Sequence, residues 1–171
     1  EKGLLAYLTD NFKNAILPTT LKVVKNTVTD GGGYETVTDK VFLPSKFEVG
    51  LGTENGIEEG DIFPLFINDE SRKAYPTAEA VANSEYTNSG LSSTQPWYYW
   101  LRSPDSGDSY GSRHVISSGG LSNYSACRGN CGVRPALNLK SEIFVSDSMD
   151  SDGCYIIQWN NSPTISGSDQ N

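Results

Sequence analysis

Residues 112–131, SRHVISSGGLSNYSACRGNC, hold the only histidine, two of the three cysteines and two of the five arginines of the sequence, with little aliphatic bulk. Cys127 and Cys131 in CRGNC could close a short disulfide or stand as two free thiols. The disulfide is the expected state, and so short a loop stabilises only modestly. His114 has no nucleophile or carboxylate assignable to it from the sequence, so an exposed or hydrogen-bonded histidine is expected rather than a catalytic one. Tyr, Ser, Gly and Asn are also the residues that binding loops use for adaptable contacts at low entropic cost. The candidate ligand-binding residues are therefore Asp108, Tyr110, Arg113, His114, Asn123, Tyr124, Arg128 and Asn130. No catalytic residue, metal site or cofactor is expected.

Three other groups could do chemistry. Trp97, Tyr98, Tyr99 and Trp100 offer faces on which a pyranose ring could stack. Strand alternation puts Trp97 and Tyr99 on one face and Tyr98 and Trp100 on the other, so one pair belongs to the core, with Trp100 and Leu101 the expected members. Arg102 and Arg134 lie in apolar surroundings, where an arginine needs a carboxylate or carbonyl partner, so both are read as structural. Asp147, Asp150 and Asp152 in DSMDSDG superficially resemble a calcium loop, but Trp159 falls where the last ligand should be, and a plain turn is expected.

These residues need elements to position them. Apolar residues at helical spacing, Leu4, Leu5, Leu8, Phe12, Ala15 and Ile16, predict a helix over 4–16, stopped by Pro18. A short turn through Lys25, a flexible loop TDGGGYETVTD, a buried strand at Val41–Leu43 and a helical turn in SKFEV follow. The acidic, glycine-rich stretch from Gly50 to Gly60 reads as surface loop. A helix is expected to start at or after Pro76, with Thr77 near its first turn. WYYWLRSP is the strongest strand, bounded by Pro96 and Pro104. SRHVISS and LSNYSAC around Gly119-Gly120 form a hairpin, because glycine supplies the positive φ such turns require. GVRPALNL reads as an edge strand interrupted by Pro135, and SEIFVSD and CYIIQWN as a last pair.

At 171 residues the sequence suits one domain with a core, assigned to 1–159, with polar residues 160–171 as a linker. A net charge of −8 without a Lys/Arg cluster gives a phosphate backbone nothing to bind, so no nucleic-acid partner is expected. No apolar stretch is long enough to cross a bilayer, so no membrane insertion is expected.

WYYWLRSP, the glycine-punctuated hairpin and GVRPALNL resemble an uncharacterised domain family of Gram-positive bacteria and their phages, marked by WWLRSP and GVRPALWL blocks. LTDNFKNAI, KVFLPSKFEV and SRKAYPTAEAVAN resemble that family's other blocks in the same order, over residues 4–157. The resemblance implies an α+β, C-type-lectin-like domain: amino-terminal helices and a small, mostly antiparallel twisted sheet with long loops. Its implied relatives are the formylglycine-generating enzymes and the receptor-binding domains varied by diversity-generating retroelements. The tail resembles the approach to an Ig-like or fibronectin-like repeat, which implies a modular protein of a phage tail (virion), or a secreted or cell-surface one. Residues 105–132 contain no Lys, Glu, Gln, Met or Trp, where chain-wide usage predicts about four. The residues present are those reachable from an asparagine codon by changing its adenines, a pattern that fits a hypervariable segment.

The resulting expectation is a ligand-recognition module, not an enzyme, presenting residues 105–131 to a cell-surface glycan or protein. An assembly domain docking neighbouring domains of the same chain is the alternative. A formylglycine-generating-like redox enzyme is the third reading.

Overall fold

The computed structural model describes residues 3–86, 88–151 and 154–158. A 3-10 turn at Leu4–Tyr7 is followed by α1 (Asp10–Ala15), β1 (Ile16–Leu17), β2 (Thr19–Val24), β3 (Tyr34–Asp39), α2 (Asp69–Arg72) and α3 (Ala78–Ala82). Then come β4 (Tyr99–Pro104), β5 (Gly111–Val115), β6 (Leu121–Ser125), β7 (Asn138–Leu139), β8 (Phe144–Val145) and β9 (Ile157–Gln158). The architecture is α+β: short helices and four small antiparallel sheets, ordered β1-β7, β2-β3, β4-β5-β6 and β8-β9. The chain forms two compact units, one from residues 1–17 and 138–171 and the other from Pro18–Leu137. The expected linker, residues 160–171, lies outside the described residues, as does Asp152. No helix among the described residues is long and apolar enough to cross a membrane.

In the first unit the helix expected over 4–16 divides in two. Thr9 adopts an extended backbone and its side chain accepts from Phe12 N at 3.4 Å, starting α1 afresh. Ile16 and Leu17 are extended and pair with Leu139 and Asn138. The last expected strand pair forms, Phe144 opposite Gln158 and Val145 opposite Ile157.

In the second unit, the turn expected through Lys25 is the strand β2. Thr19, Thr20, Val23 and Val24 are β-branched and favour a pleated backbone over a helical one. The expected flexible loop supplies its partner β3, reached through Gly31, Gly32 and Gly33, all in the left-handed region at φ 73–74°. Phe42 makes one bridge, to Ala136, rather than a strand of its own, and GVRPALNL is strand only at its last two residues, Pro135 having no N–H to give. Thr77 caps α3 as expected, accepting from Ala80 N at 3.1 Å. α2 was not legible; Asn68 and Ser71 close a capping box at its start.

β4 is the centre of this unit. Tyr99, Leu101 and Ser103 face inward, and Trp100 and Arg102 face the other way. The core therefore takes Tyr99 with Leu101, not Trp100, and packs them with Val49, Phe66 and Val115. Each such buried side chain contributes about 1.5–3 kcal/mol. The stretch from Gly50 to Gly60 is not plain surface: Glu54 and Glu59 are 2% and 0% exposed.

The β5-β6 hairpin turns at Gly119, which is buried with φ +89°. Its carbonyl accepts from Arg72 Nε of α2 at 2.9 Å, so the turn is docked within the protein. A Cβ on Gly119 would overlap the Asp69 carbonyl. Gly119→Ala is expected to cost about 2 kcal/mol or more, from steric overlap plus left-handed strain. Urea denaturation checks this against Ser118→Ala, whose exposed neighbour position should change stability by less than about 0.5 kcal/mol.

Candidate functional site

The docked turn leaves the other end of the β4-β5-β6 sheet open. There the loop 105–110 meets the start of the loop 126–131, Ala126 N donating to Tyr110 O at 2.9 Å. Gly111 lies opposite Ser125 and Ser112 opposite Tyr124, which brings Asp108, Tyr110, Asn123, Tyr124 and Arg128 to this end. Tyr110 is 67% and Tyr124 43% exposed, and Arg128 is exposed. Asn26 holds the first loop from beneath, donating to the Asp105 and Asp108 carbonyls at 3.0 and 2.6 Å. Asp108 Oδ1 accepts from Tyr110 N at 3.3 Å, and Asn123 donates to Asp105 Oδ2.

Arg113 does not join that surface. Its Nε and Nη2 clamp the Glu54 carboxylate at 2.8 and 2.9 Å, and Nη2 lies 3.2 Å from Asp105 Oδ1. Glu54 also accepts from Lys46 Nζ at 3.1 Å and from Ser106 N and Oγ at 3.1 and 2.8 Å. Burial alone would raise the Glu54 carboxyl, but these donors outweigh it and hold it at about 2. Glu59 is the opposite case. Burial pushes its carboxyl above the ordinary range, although Ser103 Oγ and Val24 N donate to it.

His114 is also a structural residue, 6% exposed. On the face of the sheet away from the core it pairs with Trp100 and Ser122. The rings of Trp100, Tyr98 and Tyr124 stand edge-on to it at 5.7, 6.0 and 6.4 Å. Desolvation lowers its basicity, so the imidazole is neutral near pH 7. Its Nδ1 is buried with no hydrogen-bond partner in the described residues, at a cost of about 1–3 kcal/mol. Asn130 lies elsewhere again: its carbonyl accepts from Trp97 Nε1 at 2.8 Å.

The expected Cys127–Cys131 disulfide is not formed; both side chains are free thiols. Cys127 is exposed, 3.2 Å from Ser125 Oγ, and half-buried Cys131 points its Sγ to Asn130 Oδ1 at 3.9 Å. The two side chains have different neighbours, and short spacing bridges two thiols only where their Cβ atoms come together. Burial pushes the Cys131 thiol up to about 11. Among the described residues no group of three or more His, Cys, Asp or Glu side chains is placed to hold a metal ion.

Lys46, Glu54 and Asp105, which position the open end, were not identified from the sequence. The available signal was Arg113, an arginine on a strand that needed an acid.

Residues 1–141 match the family described as Domain of unknown function (DUF6273). The chain belongs to that family. No curated protein and no solved structure matches it. The matched residues of this DUF6273 domain contain the whole open end of the sheet and every contact that holds it.

Two outcomes are expected. Thiol labelling of the denatured protein should find three cysteines, and in the native protein Cys131 should react about tenfold or more slower than Cys127, because it supplies less thiolate. A bridged pair would leave one. In urea titrations across pH, the Glu54 contribution is fully present above its ordinary value of 4.5 and lost as pH falls toward 2, since its folded value is depressed. Glu59 has the reverse sign, its contribution being lost as pH rises past 4.5. Glu54→Gln should flatten the acid limb, and Glu59→Gln should remove the decline on the other side.

Proposed function

We propose that this domain is a ligand-recognition module, built on a C-type-lectin-like architecture and displayed on a phage tail or a bacterial surface protein. The observation that carries the reading is a group of exposed side chains: Tyr110, on a loop whose backbone is fixed from below by Asn26 and Glu54, Tyr124 on the paired strand β6, and Arg128 just beyond that strand. Tyrosine and arginine supply large contact area and directional donors, the combination that dominates binding energy at protein surfaces. The ligand is a surface glycan or protein. Aromatic rings suit sugar faces, and Asp108 and Asn123 beside them supply polar contacts. The exposed positions fall within residues 105–132, the segment whose composition fits hypervariability, while the covered Arg113 and His114 serve the scaffold.

The redox-enzyme reading receives less support. A thiol held near 11 supplies little thiolate, the form that such chemistry uses. The assembly reading has one observation in its favour: Ile62, Leu65 and Ile67, 52%, 63% and 80% exposed, lie in one apolar stretch of the chain.

The test is a glycan array combined with capture on intact bacterial cells. The triple replacement Tyr110→Ala, Tyr124→Ala and Arg128→Ala is expected to weaken binding by about thirtyfold or more. Its urea midpoint should stay close to that of the parent, because all three side chains are exposed. No binding by the intact protein, or binding untouched by the triple replacement, would sink the reading.

A further inference from the structure

A cavity of about 390 Å³ opens between residues 73–77, residues 97–99 and residues 132–134. None of the eight hairpin candidates lines it, so the inference below stands independently of the proposed function. Its walls include Pro76, Trp97, Tyr98 and Val133, and its volume suits one small ring. The aromatic wall is held in place. Trp97 N donates to Ala74 O at 2.8 Å, Trp97 Nε1 to Asn130 O at 2.8 Å, and the Tyr98 carbonyl accepts from Gly132 N at 2.8 Å.

Two cations line the same space, and they differ. Lys73 is already paired, with Glu70 at 2.6 Å. Arg134 has no carboxylate partner among the described residues. Its Nη1 donates to the Arg72 carbonyl at 3.3 Å and lies 3.5 Å from Tyr99 Oη. The guanidinium is stacked over Phe66 and Tyr99, 5.0 and 5.4 Å from their centroids, which fixes its plane. Nε and Nη2 have no hydrogen-bond partner among the described residues. A half-buried guanidinium with this edge unused matches the two coplanar oxygens of a carboxylate.

We infer that the cavity beside Trp97, Tyr98 and Arg134 binds a pyranose ring that bears a carboxylate. The ring packs against the aromatic wall and the carboxylate lies on Nε and Nη2 of Arg134. A neutral sugar of the same shape keeps the stacking and leaves the guanidinium unmatched. A phosphorylated sugar brings an anion of the right sign but tetrahedral shape.

Tryptophan fluorescence and NMR titration of the whole chain test this with methyl glucuronide, methyl glucoside and glucose 6-phosphate. Methyl glucuronide is expected to bind about tenfold or more tighter than methyl glucoside, the contribution of a charge-assisted pair. Arg134→Gln should abolish that preference. Because Arg134 also packs on Phe66 and Tyr99, Val133→Asp provides a second variant: Val133 is 70% exposed, and an acid there repels the carboxylate without touching the core. The Tyr110, Tyr124 and Arg128 triple replacement should bind methyl glucuronide as the parent does, which separates this site from the hairpin end. Saturable binding with these effects supports the inference. It is overturned by no saturable glucuronide binding, by equal affinity for the glucoside, by tighter binding of the phosphate, by indifference to both variants, or by loss in the triple replacement.

Discussion

The guanidinium of Arg102 is the interaction on which the Pro18–Leu137 unit depends. It leaves β4 and donates from Nε to the Lys22 carbonyl of β2, from Nη1 to the Leu43 carbonyl and Glu48, and from Nη2 to Glu48 and the Glu59 carbonyl. No strand pairing links β2, β4 and these loops, so one rigid fork substitutes for a sheet. A lysine, with a point charge on a flexible stem, has no such geometry. The side chains of Arg102 and Glu48 are only 9% and 6% exposed, so desolvation offsets much of their attraction. Their contribution lies in specifying which segments meet. Losing one partner strands a buried charge, at a cost of about 3–5 kcal/mol.

The same device recurs at Glu54, where it serves the open end of the sheet. Arg113 of β5, Lys46 and Ser106 converge on that carboxylate, tying the loop that carries Tyr110 to a part of the chain far away in sequence. With these donors Glu54 stays ionised although buried; where Glu59 finds fewer, burial prevails. The unit thus holds its loops by a few saturated polar contacts around a modest apolar cluster.

The sequence revealed what local pattern encodes. β4, the β5-β6 hairpin and the Thr77 cap followed from alternation, a glycine pair and capping chemistry. Glu54 and Glu59 were hidden because acidic, glycine-rich stretches resemble surface, and their partners lie far away in sequence: Arg113 clamps the Glu54 carboxylate, and Ser103 Oγ and Val24 N donate to that of Glu59. β2 was missed because Pro18 and two threonines resemble the start of a turn, whereas its β-branched residues pair with β3. The outward end of the hairpin was equally hidden: the turn is docked by Arg72, 47 residues earlier than Gly119, and no local pattern records that. Eight polar residues of one segment therefore resembled one surface, and the fold divides them between scaffold and exposed end.

A hairpin gripped at its turn by α2 and at its open end by Glu54 and Asn26 has little freedom left to lose. Ordering a loose loop on association costs roughly 0.5–1.5 kcal/mol for each rotamer-rich side chain immobilised. Here the backbone share of that cost is met when the chain folds. A molecule meeting this end would encounter one arrangement of backbone and a few turning side chains, so differences in affinity among ligands would lie in dissociation rates rather than in the rate of encounter.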